Sequence, residues 1–277
     1  MLGAENGKLF VNGGTLDYVR FGEGERTLVM IPGVGDGLKT VRGMALPFAL
    51  LYRGLARDFT VCLFSRGNAL PAHITTREMA AELAAALDRL GIRRTAAVGV
   101  SQGGMIAQWL AVDRPDLVER LVLTVTLGRQ NETVRHVVGH WMELARRGDY
   151  RALMADSAEK SYSPERLRLM RPLYALLGGM GGPRSFARFL TQAEACLTHD
   201  AWQELPRIAC PTLVIGGEED RVVSAEASRE LAARIPGAEL VMLPGLGHAL
   251  YEEDRDYPER VARFCRRPTS RNRERHV

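Results

Sequence analysis

Residues 95–104 read TAAVGVSQGG, and the predicted architecture of the chain follows from them. They contain the pattern G-x-S-x-G at Gly99–Gly103, which comes after the apolar run Ala96–Val100 and before the apolar segment Gly104–Val112. This order predicts a buried strand, a sharp turn at Ser101 and a helix. Such a turn lifts the serine hydroxyl clear of the sheet, but it strains the serine backbone. Side chains two positions before and after the serine would collide, which explains the glycines there.

Five further short apolar runs lie on either side of this stretch along the chain. Each run is continuous rather than alternating with polar residues, and each is rich in Val, Leu or Ile. Continuous runs are typical of strands that are covered on both faces, as in a parallel sheet. The runs are Leu28–Ile31, Val61–Phe64, Leu121–Val125, Leu213–Ile215 and Leu240–Leu243.

Helical patterns separate these predicted strands. The segments Thr76–Gly91, Ala225–Ile235 and Tyr257–Arg266 place apolar residues three or four positions apart beside a charged face. Near the N-terminus, Lys8–Asn12 and Thr15–Phe21 flank two glycines, which predicts an antiparallel hairpin at the edge of the sheet. We therefore predict an α/β fold with a mostly parallel, doubly wound sheet and an antiparallel N-terminal hairpin.

The alternation of strands and helices stops between residues 128 and 205. This part of the chain shows helical patterns alone, at Glu132–Arg147, Tyr150–Ser161, Pro164–Leu177 and Ser185–Leu197. The strand pattern resumes at Thr212. The economical interpretation is an α/β core formed by residues 1–127 and 206–268, interrupted by an all-helical insertion at 128–205.

Basic residues outnumber acidic ones by 37 to 33, and the excess lies at the C-terminus. Residues 266–277 contain five arginines and one glutamate, so the remainder of the chain is neutral overall. This segment lacks interleaved aromatic residues, and no nucleic-acid-binding module precedes it. We therefore expect residues 269–277 to form a basic, disordered tail, and we expect no nucleic acid as a partner.

The sequence has no pattern typical of a membrane span or a metal site. The longest charge-free run, Thr95–Val112, is interrupted by turn residues, and the N-terminus lacks the basic and apolar regions of a secretory signal. The four cysteines are scattered without a C-x-x-C pair. His136 and His140 have the spacing of two metal ligands, but Val137 stands where a metalloprotease helix carries glutamate. We expect a cytoplasmic protein that binds no metal.

A nucleophilic serine needs a base, and the base needs an acid that orients it. The predicted strand Leu213–Ile215 is followed by an acidic cluster whose members are Glu218, Glu219 and Asp220. The next predicted strand is followed by His248, the only one of six histidines in such a place. Because the carboxyl ends of parallel strands meet at one edge of a sheet, we expect these side chains to lie near the serine.

The segments GVSQGG, GGEEDRVV and GLGH, in this order, resemble the nucleophile, acid and histidine motifs of the α/β-hydrolase superfamily. The resemblance covers nearly the whole chain. It implies that Ser101 is the nucleophile, Asp220 the acid and His248 the general base of a catalytic triad. Glu218 and Glu219 are alternatives for the acid. The resemblance also implies that the helical insertion is a lid and that no cofactor is required.

Two backbone amides form the oxyanion hole in this superfamily, and the resemblance assigns them to Val34 and Gln102. Val34 lies in the loop IPGVG at residues 31–35, where proline replaces the customary histidine. Because the donor is a backbone amide, the hole does not require that histidine. The same loop nearly matches the phosphate-binding pattern G-x-x-x-x-G-K-[ST], but Leu38 occupies the position of the second glycine, which disfavours nucleotide binding.

The motifs of the core look most like those of small-molecule esterases and enol-lactonases. We therefore expect a serine hydrolase whose partner is a small-molecule substrate, a carboxylic ester or lactone of small to medium size and partly apolar. Acyl transfer, perhydrolysis and carbon–carbon bond hydrolysis use the same triad, and a non-catalytic ligand-binding protein is a further alternative. Apolar residues of the insertion, namely Trp141, Met142 and Met180, are candidates to line the substrate pocket.

Overall fold

The computed structural model describes residues 3–177 and 181–267, with the backbone alone for residues 171–177. The described chain forms one sheet of eight strands. The strands are β1 (Glu5–Val11), β2 (Gly14–Phe21), β3 (Arg26–Ile31), β4 (Phe59–Gly67), β5 (Thr95–Val100), β6 (Val118–Thr124), β7 (Thr212–Gly217) and β8 (Glu239–Leu243). Across the sheet their order is β1-β2-β4-β3-β5-β6-β7-β8.

The sheet is antiparallel at its N-terminal edge and parallel elsewhere. β1 pairs antiparallel with β2 and β2 with β4, whereas every pairing from β4 to β8 is parallel. The mostly parallel sheet with an N-terminal hairpin that the sequence predicts is therefore confirmed. β6 begins at Val118, three residues before the predicted apolar run. The apolar pattern misses this start because the charged Glu119 and Arg120 interrupt it.

Helices connect the strands and cover both faces of the sheet. The described α-helices are α1 (Ala45–Leu51), α2 (Arg53–Ala56), α3 (Thr76–Arg89), α4 (Gln102–Asp113), α5 (Glu132–Arg146), α6 (Tyr150–Ser161), α7 (Pro164–Leu177), α8 (Ala187–Leu197), α9 (Ala225–Arg234), α10 (Leu250–Glu253) and α11 (Tyr257–Arg266). Short 3₁₀ turns lie at Val34–Gly37 and Leu205–Arg207. The sequence patterns do not predict α1, because its residues are apolar throughout and show no polar face.

The order of the sheet reverses at β3. The chain passes from β3 to β4 on one side, and then from β4 across β3 to β5 on the other side. Connections that leave neighbouring strands in opposite directions open a crevice at the carboxyl ends of those strands, where open α/β sheets bind ligands. Ile31 ends β3 and Val100 ends β5. The topology therefore places Ser101, the residue after Val100, at this crevice.

Two hydrophobic clusters cover the two faces of the sheet. Neighbouring residues on a strand point to opposite faces, so strands β2 to β7 each contribute to both clusters. Val29 and its partner Ala97 pack with α3 and α4, whereas Leu28 and its partner Ala96 pack with α1, α2 and α11. These four residues are completely buried. The central strands are thus covered on both faces, as their continuous apolar runs predict.

Helices α5 to α8 lie between β6 and β7 along the chain. A third hydrophobic cluster includes Trp141 of α5 and Phe189 of α8 together with Met105 of α4. Helix α8 approaches the loop after β3 closely, since a Cβ atom at Gly37 would lie 2.6 Å from the Cα of Phe189. The division of the chain into a core and an insertion at 128–205 stays a prediction. Residues 269–277, the predicted tail, lie outside the described residues.

Replacing Thr75 with alanine is expected to destabilise the protein by about 1 kcal/mol. Thr75 caps α3: its Oγ1 accepts a hydrogen bond from the Glu78 amide at 3.1 Å, and Glu78 Oε2 accepts one from the Thr75 amide at 2.7 Å. Alanine removes the first of these bonds. Urea denaturation measures the change in the free energy of unfolding.

The matched control for this cap is Glu78→Gln. Its amide oxygen still accepts the hydrogen bond from Thr75, so we expect a smaller loss of stability than in Thr75→Ala. A Thr75→Ala protein as stable as the wild type would show that the cap contributes nothing.

Candidate active site

Ser101 occupies the sharp turn between β5 and α4. Its φ of 54° and ψ of −120° place a residue other than glycine in the left-handed region, which costs of the order of 1–3 kcal/mol. The Ser101 amide donates a hydrogen bond to the Thr124 carbonyl oxygen at 2.9 Å. Thr126 Oγ1 donates one to the Ser101 carbonyl oxygen at 2.7 Å. The end of β6 and the residues after it therefore hold the serine in its strained conformation.

The glycines on either side of Ser101 are required by close backbone contacts. A Cβ atom at Gly99 would lie 2.4 Å from the Gly103 carbonyl oxygen, and one at Gly103 would lie 1.9 Å from the Ile31 carbonyl oxygen. Both neighbours are backbone atoms rather than flexible side chains. Gly99 thus lets the turn fold onto its own strand, and Gly103 lets α4 begin directly against β3.

The structure brings Ser101, His248 and Asp220 into one hydrogen-bonded line. His248 Nε2 lies 3.0 Å from Ser101 Oγ, and His248 Nδ1 lies 2.9 Å from Asp220 Oδ2. A carboxylate at Nδ1 favours the tautomer with its proton on Nδ1, which leaves Nε2 to accept a hydrogen bond from the serine hydroxyl. This arrangement can remove the hydroxyl proton as Oγ attacks an electrophile.

Asp220 is buried and held by its own loop. Its Oδ1 accepts hydrogen bonds from the amides of Val222 at 2.8 Å and Val223 at 3.0 Å. Burial acts to raise the pKa of Asp220, but the adjacent His248 ring and these hydrogen bonds outweigh burial, so the pKa lies below its usual value. The carboxylate is therefore ionised at neutral pH.

The other acidic candidates lie apart from the histidine ring. Glu218 forms an ion pair with Arg229 at 2.5 Å, and the side chain of Glu219 is exposed. The amide of Glu219 donates to the Leu246 carbonyl oxygen at 2.9 Å, and a Cβ at Gly217 would lie 2.4 Å from that same oxygen. The loop after β7 and the loop after β8 therefore meet closely, which brings the acid and the histidine together.

The loop after β3 lies against the nucleophile. A Cβ atom at Gly33 would lie 3.3 Å from Ser101 Cβ and 3.7 Å from Ser101 Oγ. The next residue, Val34, begins a 3₁₀ turn, and Gln102 begins α4. Backbone N–H groups at the first helical positions have no acceptor within their own helix. The two amides named as oxyanion-hole candidates thus belong to residues beside the serine, and their role stays a prediction.

A buried polar network that sequence reasoning missed lies beneath this loop. Arg66, near the end of β4, donates from Nη2 to the Gly33 carbonyl oxygen at 2.8 Å and to Gln102 Oε1 at 2.7 Å. Asp36 Oδ2 lies 3.8 Å from Arg66 Nη1 and accepts a hydrogen bond from Arg188 Nη2 of α8 at 2.5 Å. The available signal was a charged residue directly at the end of a buried apolar strand.

A cavity of about 430 Å³ opens beside the nucleophile turn. Gly33 and Val100, which adjoin Ser101, form part of its wall. The remaining wall includes apolar side chains from β3, β4 and the region of α1, namely Met30, Leu63, Met44, Phe48 and Leu51. The cavity can hold the apolar part of a small molecule next to the serine. The sequence could not indicate this wall, because α1 has no helical pattern.

Two of the three apolar candidates from the helical segment, Trp141 and Met142, lie away from this cavity. Trp141 and Met142 are 5% and 6% exposed and pack in the cluster around α5, and Trp141 Nε1 donates to Asp156 Oδ2 at 2.7 Å. Neither lines the 430 Å³ cavity, whose lining does include Arg166 of α7. Met180 lies outside the described residues. Contact of these three residues with a substrate stays a prediction.

Comparison with known sequences defines the class of protein. A match to the family described as alpha/beta hydrolase fold covers residues 26–255, so the chain belongs to this family. It is 34% identical over 199 residues to "Putative carbamate hydrolase RutD" of Klebsiella pneumoniae (strain 342), covering 68% of this chain and 71% of that protein. It is 32% identical over 220 residues to a homoserine O-acetyltransferase of Deinococcus radiodurans, covering 71% of this chain and 65% of that protein.

Solved structures share the same fold. The alpha/beta hydrolase enzyme MGS-M2, from a Medee basin deep-sea metagenome library, superposes with a TM-score of 0.84 at 21% identity, covering 95% of this chain and 98% of that one. The enol-lactonase from Burkholderia xenovorans LB400 gives a TM-score of 0.80 at 23% identity, covering 93% and 99%. Together, the family and the named relatives support a hydrolase.

Two further findings for residues 3–177 and 181–267 concern a membrane span and a metal site. Within these ranges, none of the helices combines the length and apolar character that crossing a membrane requires. The same ranges contain no group of three or more His, Cys, Asp or Glu side chains placed to hold a metal ion. His136 is exposed, and His140 Nε2 lies 3.9 Å from Asp156 Oδ1.

Replacing Gly103 with alanine is expected to destabilise the protein by about 1–3 kcal/mol, because overpacking a filled site forces the backbone to move. The new Cβ would start 1.9 Å from the Ile31 carbonyl oxygen, so either β3 or the turn must shift. Urea denaturation measures the loss of stability, and labelling of Ser101 by a fluorophosphonate measures the effect on the nucleophile.

Gly139→Ala is the matched control for this substitution. Gly139 lies within α5 with open space around its Cβ position, so alanine there should stabilise the helix by roughly 0.5–1 kcal/mol. Equal stability of the two variants would contradict the steric argument.

Proposed function

We propose that this chain is a serine hydrolase that cleaves a carboxylic ester or lactone through an acyl-enzyme on Ser101. The observation that carries the proposal is the hydrogen-bonded line from Ser101 Oγ through His248 to Asp220. A chance contact between a serine and a histidine explains neither the strained backbone of the serine nor the buried, ionised third partner. All three features together support a nucleophile activated for attack.

The proposed reaction proceeds in two similar halves. His248 Nε2 accepts the proton of the Ser101 hydroxyl while Oγ bonds to the carbonyl carbon, and the carbonyl electron pair moves onto oxygen. When the tetrahedral intermediate collapses, the bond to the leaving alcohol breaks and that alcohol takes the proton from His248. Water then attacks the acyl-enzyme in the same way and releases the acid. Asp220 stabilises the imidazolium that forms in both halves.

The backbone amides of Val34 and Gln102 are proposed to bind the oxyanion. Val34 begins the 3₁₀ turn and Gln102 begins α4, and both elements border Ser101. Their backbone N–H groups therefore have no acceptor within their own helix. The positive end of the α4 dipole adds to this field. Loss of one such donor typically costs about 2.7–4 kcal/mol of transition-state stabilisation.

The 430 Å³ cavity is proposed to receive the apolar part of the substrate. Its wall reaches Val100 and Gly33, the residues that adjoin the nucleophile, so a group held there lies beside the reacting carbonyl. Each methylene buried against such a wall contributes about 0.8 kcal/mol. A small to medium ester or lactone with an apolar chain fits this volume.

Residues 128–205 are proposed to act as the lid of this site. Helix α8 packs against the loop after β3, where the Cα of Phe189 lies close to Gly37. Arg166 of α7 lines the cavity opposite the residues of α1. These contacts place helices from this part of the chain next to the proposed substrate position.

Acyl transfer is the second candidate, and one comparison favours it. A relative at 32% identity is named a homoserine O-acetyltransferase, and transfer differs from hydrolysis in the acceptor that attacks the acyl-enzyme. The relative named as a carbamate hydrolase adds carbamates to the acyl groups worth testing. Adding alcohols and thiols as acceptors during turnover of phenyl esters and a phenyl carbamate separates these reactions.

Ser101→Ala is expected to abolish labelling by a fluorophosphonate and to lower kcat for phenyl butanoate by at least about 10⁴-fold. The hydroxyl that attacks phosphorus or carbon is absent in this variant. Mass spectrometry of the labelled wild type identifies the modified residue, and phenol release measures the rate.

The exposed Ser185 provides the control for labelling. Ser185→Ala should be labelled and should turn over like the wild type, since its Oγ caps a helix rather than facing the histidine. A folded wild-type protein that is not labelled, or a Ser101→Ala protein that keeps full activity, would refute the proposed function.

Met44→Trp is expected to shift the preferred acyl chain to a shorter length. Met44 lines the cavity beside α1, and the larger indole would fill part of the 430 Å³. In a series of phenyl esters from acetate to octanoate, KM should rise for the long chains and stay near the wild-type value for acetate. Leu46→Trp is the control, because Leu46 lies two residues further along the chain but is 61% exposed. Identical chain-length profiles for both variants would exclude the cavity as the acyl site.

A further inference from the structure

One nitrogen of a buried arginine joins the peptide group between Gly33 and Val34 to the side chain of Gln102. Arg66 Nη2 donates to the carbonyl oxygen of Gly33 at 2.8 Å and to Gln102 Oε1 at 2.7 Å. The Arg66 side chain is 3% exposed, so these bonds form away from water. Hydrogen bonds from an ionised donor are roughly twice as strong as those between neutral groups.

The bond to Gly33 acts on the peptide unit that carries the Val34 amide. The Gly33 carbonyl and the Val34 N–H belong to one planar peptide group and point in opposite directions. A donor that fixes the carbonyl therefore fixes the direction of the N–H. Gly33 lies against Ser101, so this peptide borders the place where the oxyanion would form. A cation on the carbonyl also polarises the peptide and strengthens its N–H as a donor.

The bond to Gln102 acts on the second donor. The Gln102 side chain is completely buried, and its amide is held at both ends. Oε1 accepts from Arg66, while Nε2 donates to the Gln192 carbonyl oxygen at 2.5 Å and contacts Cys196 Sγ at 3.1 Å. The first residue of α4 is therefore fixed through its side chain, independently of the turn at Ser101.

Asp36 holds the arginine in turn. Its Oδ2 accepts a hydrogen bond from the Arg66 amide at 3.2 Å and pairs with Arg66 Nη1 at 3.8 Å. Burial lowers the pKa of Arg66, and the charge of Asp36 opposes that shift. Asp36 also pairs with Arg188 at 2.5 Å, so substitution of Arg66 does not leave this carboxylate without a cation.

We infer that Arg66 is a positioning residue, which fixes the positions and directions of the Val34 and Gln102 backbone amides around the oxyanion. This inference rests on the proposed acyl-enzyme mechanism. Arg66 acts through other groups, because its Nη2 is committed to Gly33 and Gln102 and its Nη1 lies 3.8 Å from the Asp36 carboxylate. Its contribution is made in the transition state, where charge develops on the substrate oxygen.

The test compares phenyl butanoate with O-phenyl thionobutanoate in wild type and Arg66→Met. The thiono substrate places sulfur where the oxyanion would form. Because the carbon–sulfur bond is longer and sulfur is a weak hydrogen-bond acceptor, donors positioned for oxygen stabilise it poorly. The ratio of kcat/KM for the oxygen ester to that for the thiono ester therefore reports the oxyanion hole. A general loss of folding or a shifted histidine would lower both rates alike.

We expect Arg66→Met to lower kcat for phenyl butanoate by about 10- to 100-fold, the usual effect of misplacing catalytic groups by a fraction of an ångström to one ångström. KM should change by less than about 3-fold, and the oxygen-to-sulfur ratio should fall by nearly the same factor as kcat. The acid limb of the pH–rate profile should not move, because His248 keeps its partners. The kcat of Arg66→Lys should lie between those of the wild type and Arg66→Met, since an ammonium group keeps the charge but cannot copy the planar donor geometry.

Arg188→Met is the matched control. Arg188 pairs with the same Asp36 but makes no hydrogen bond to Gly33 or Gln102, so its loss should lower the melting temperature and leave the oxygen-to-sulfur ratio unchanged. If Arg66→Met does not fold, Gln102→Met breaks the same bond from the other side and should also lower the ratio.

Two results would overturn the inference. The first is an unchanged oxygen-to-sulfur ratio in the Arg66 variants, with both substrates slowed equally, which would show that Arg66 does not act on the oxyanion hole. The second is a fall of this ratio in Arg188→Met as large as that in Arg66→Met. Failure of the proposed function would be distinct and would be detected first, as a wild-type protein that neither reacts with the fluorophosphonate nor releases phenol.

Discussion

The backbone of Ser101, held at a φ of 54°, is the constraint on which the rest of the site depends. The strain can persist because the Ser101 amide donates to the Thr124 carbonyl oxygen and Thr126 Oγ1 donates to the Ser101 carbonyl oxygen. The same turn explains why glycine is needed at 99 and 103, and why α4 starts directly against β3. The strained residue at the switch point of the sheet is therefore supported by the neighbouring strand, because the end of β6 and the residues directly after it supply these contacts.

Two buried clusters that contain charged side chains flank this turn, and stability alone does not explain either cluster. Asp220 pairs with His248 on one side, and Asp36 pairs with Arg66 and Arg188 on the other. Removing charges from water costs several kcal/mol per ion, and such pairs often stabilise a protein no better than apolar residues do. Both clusters lie at the carboxyl edge of the sheet beside Ser101. Their location is better explained by the need for fixed directions of charge and hydrogen bonding at that edge than by stability.

The sequence predicted those features that arise from short, local patterns. The apolar runs identify the central strands, and the glycines around Ser101 identify the turn because each pattern spans only a few residues. The serine, the histidine and the acidic cluster could be brought together because each follows a strand that ends at one edge, and the resemblance to the α/β-hydrolase superfamily selected Asp220 from that cluster. The Arg66 network could not, since Arg66 and Gln102 are 36 positions apart and Asp36 and Arg188 are 152 apart. Helix α1 and the cavity it lines also escaped, since a helix apolar on every side has no periodic signal.

Helix α8 links the helical segment to the loop that carries Val34, and this limits how the segment can move. Arg188 of α8 donates to Asp36 Oδ2, to the Gly67 carbonyl oxygen at 3.0 Å and to the Arg66 carbonyl oxygen at 2.8 Å. A movement that carried α8 away would break these buried bonds. Entry through the cavity past Arg166 of α7 breaks none of them. The contacts of α8 therefore hold this helix against the loop after β3, and we expect the substrate to enter on the α7 side.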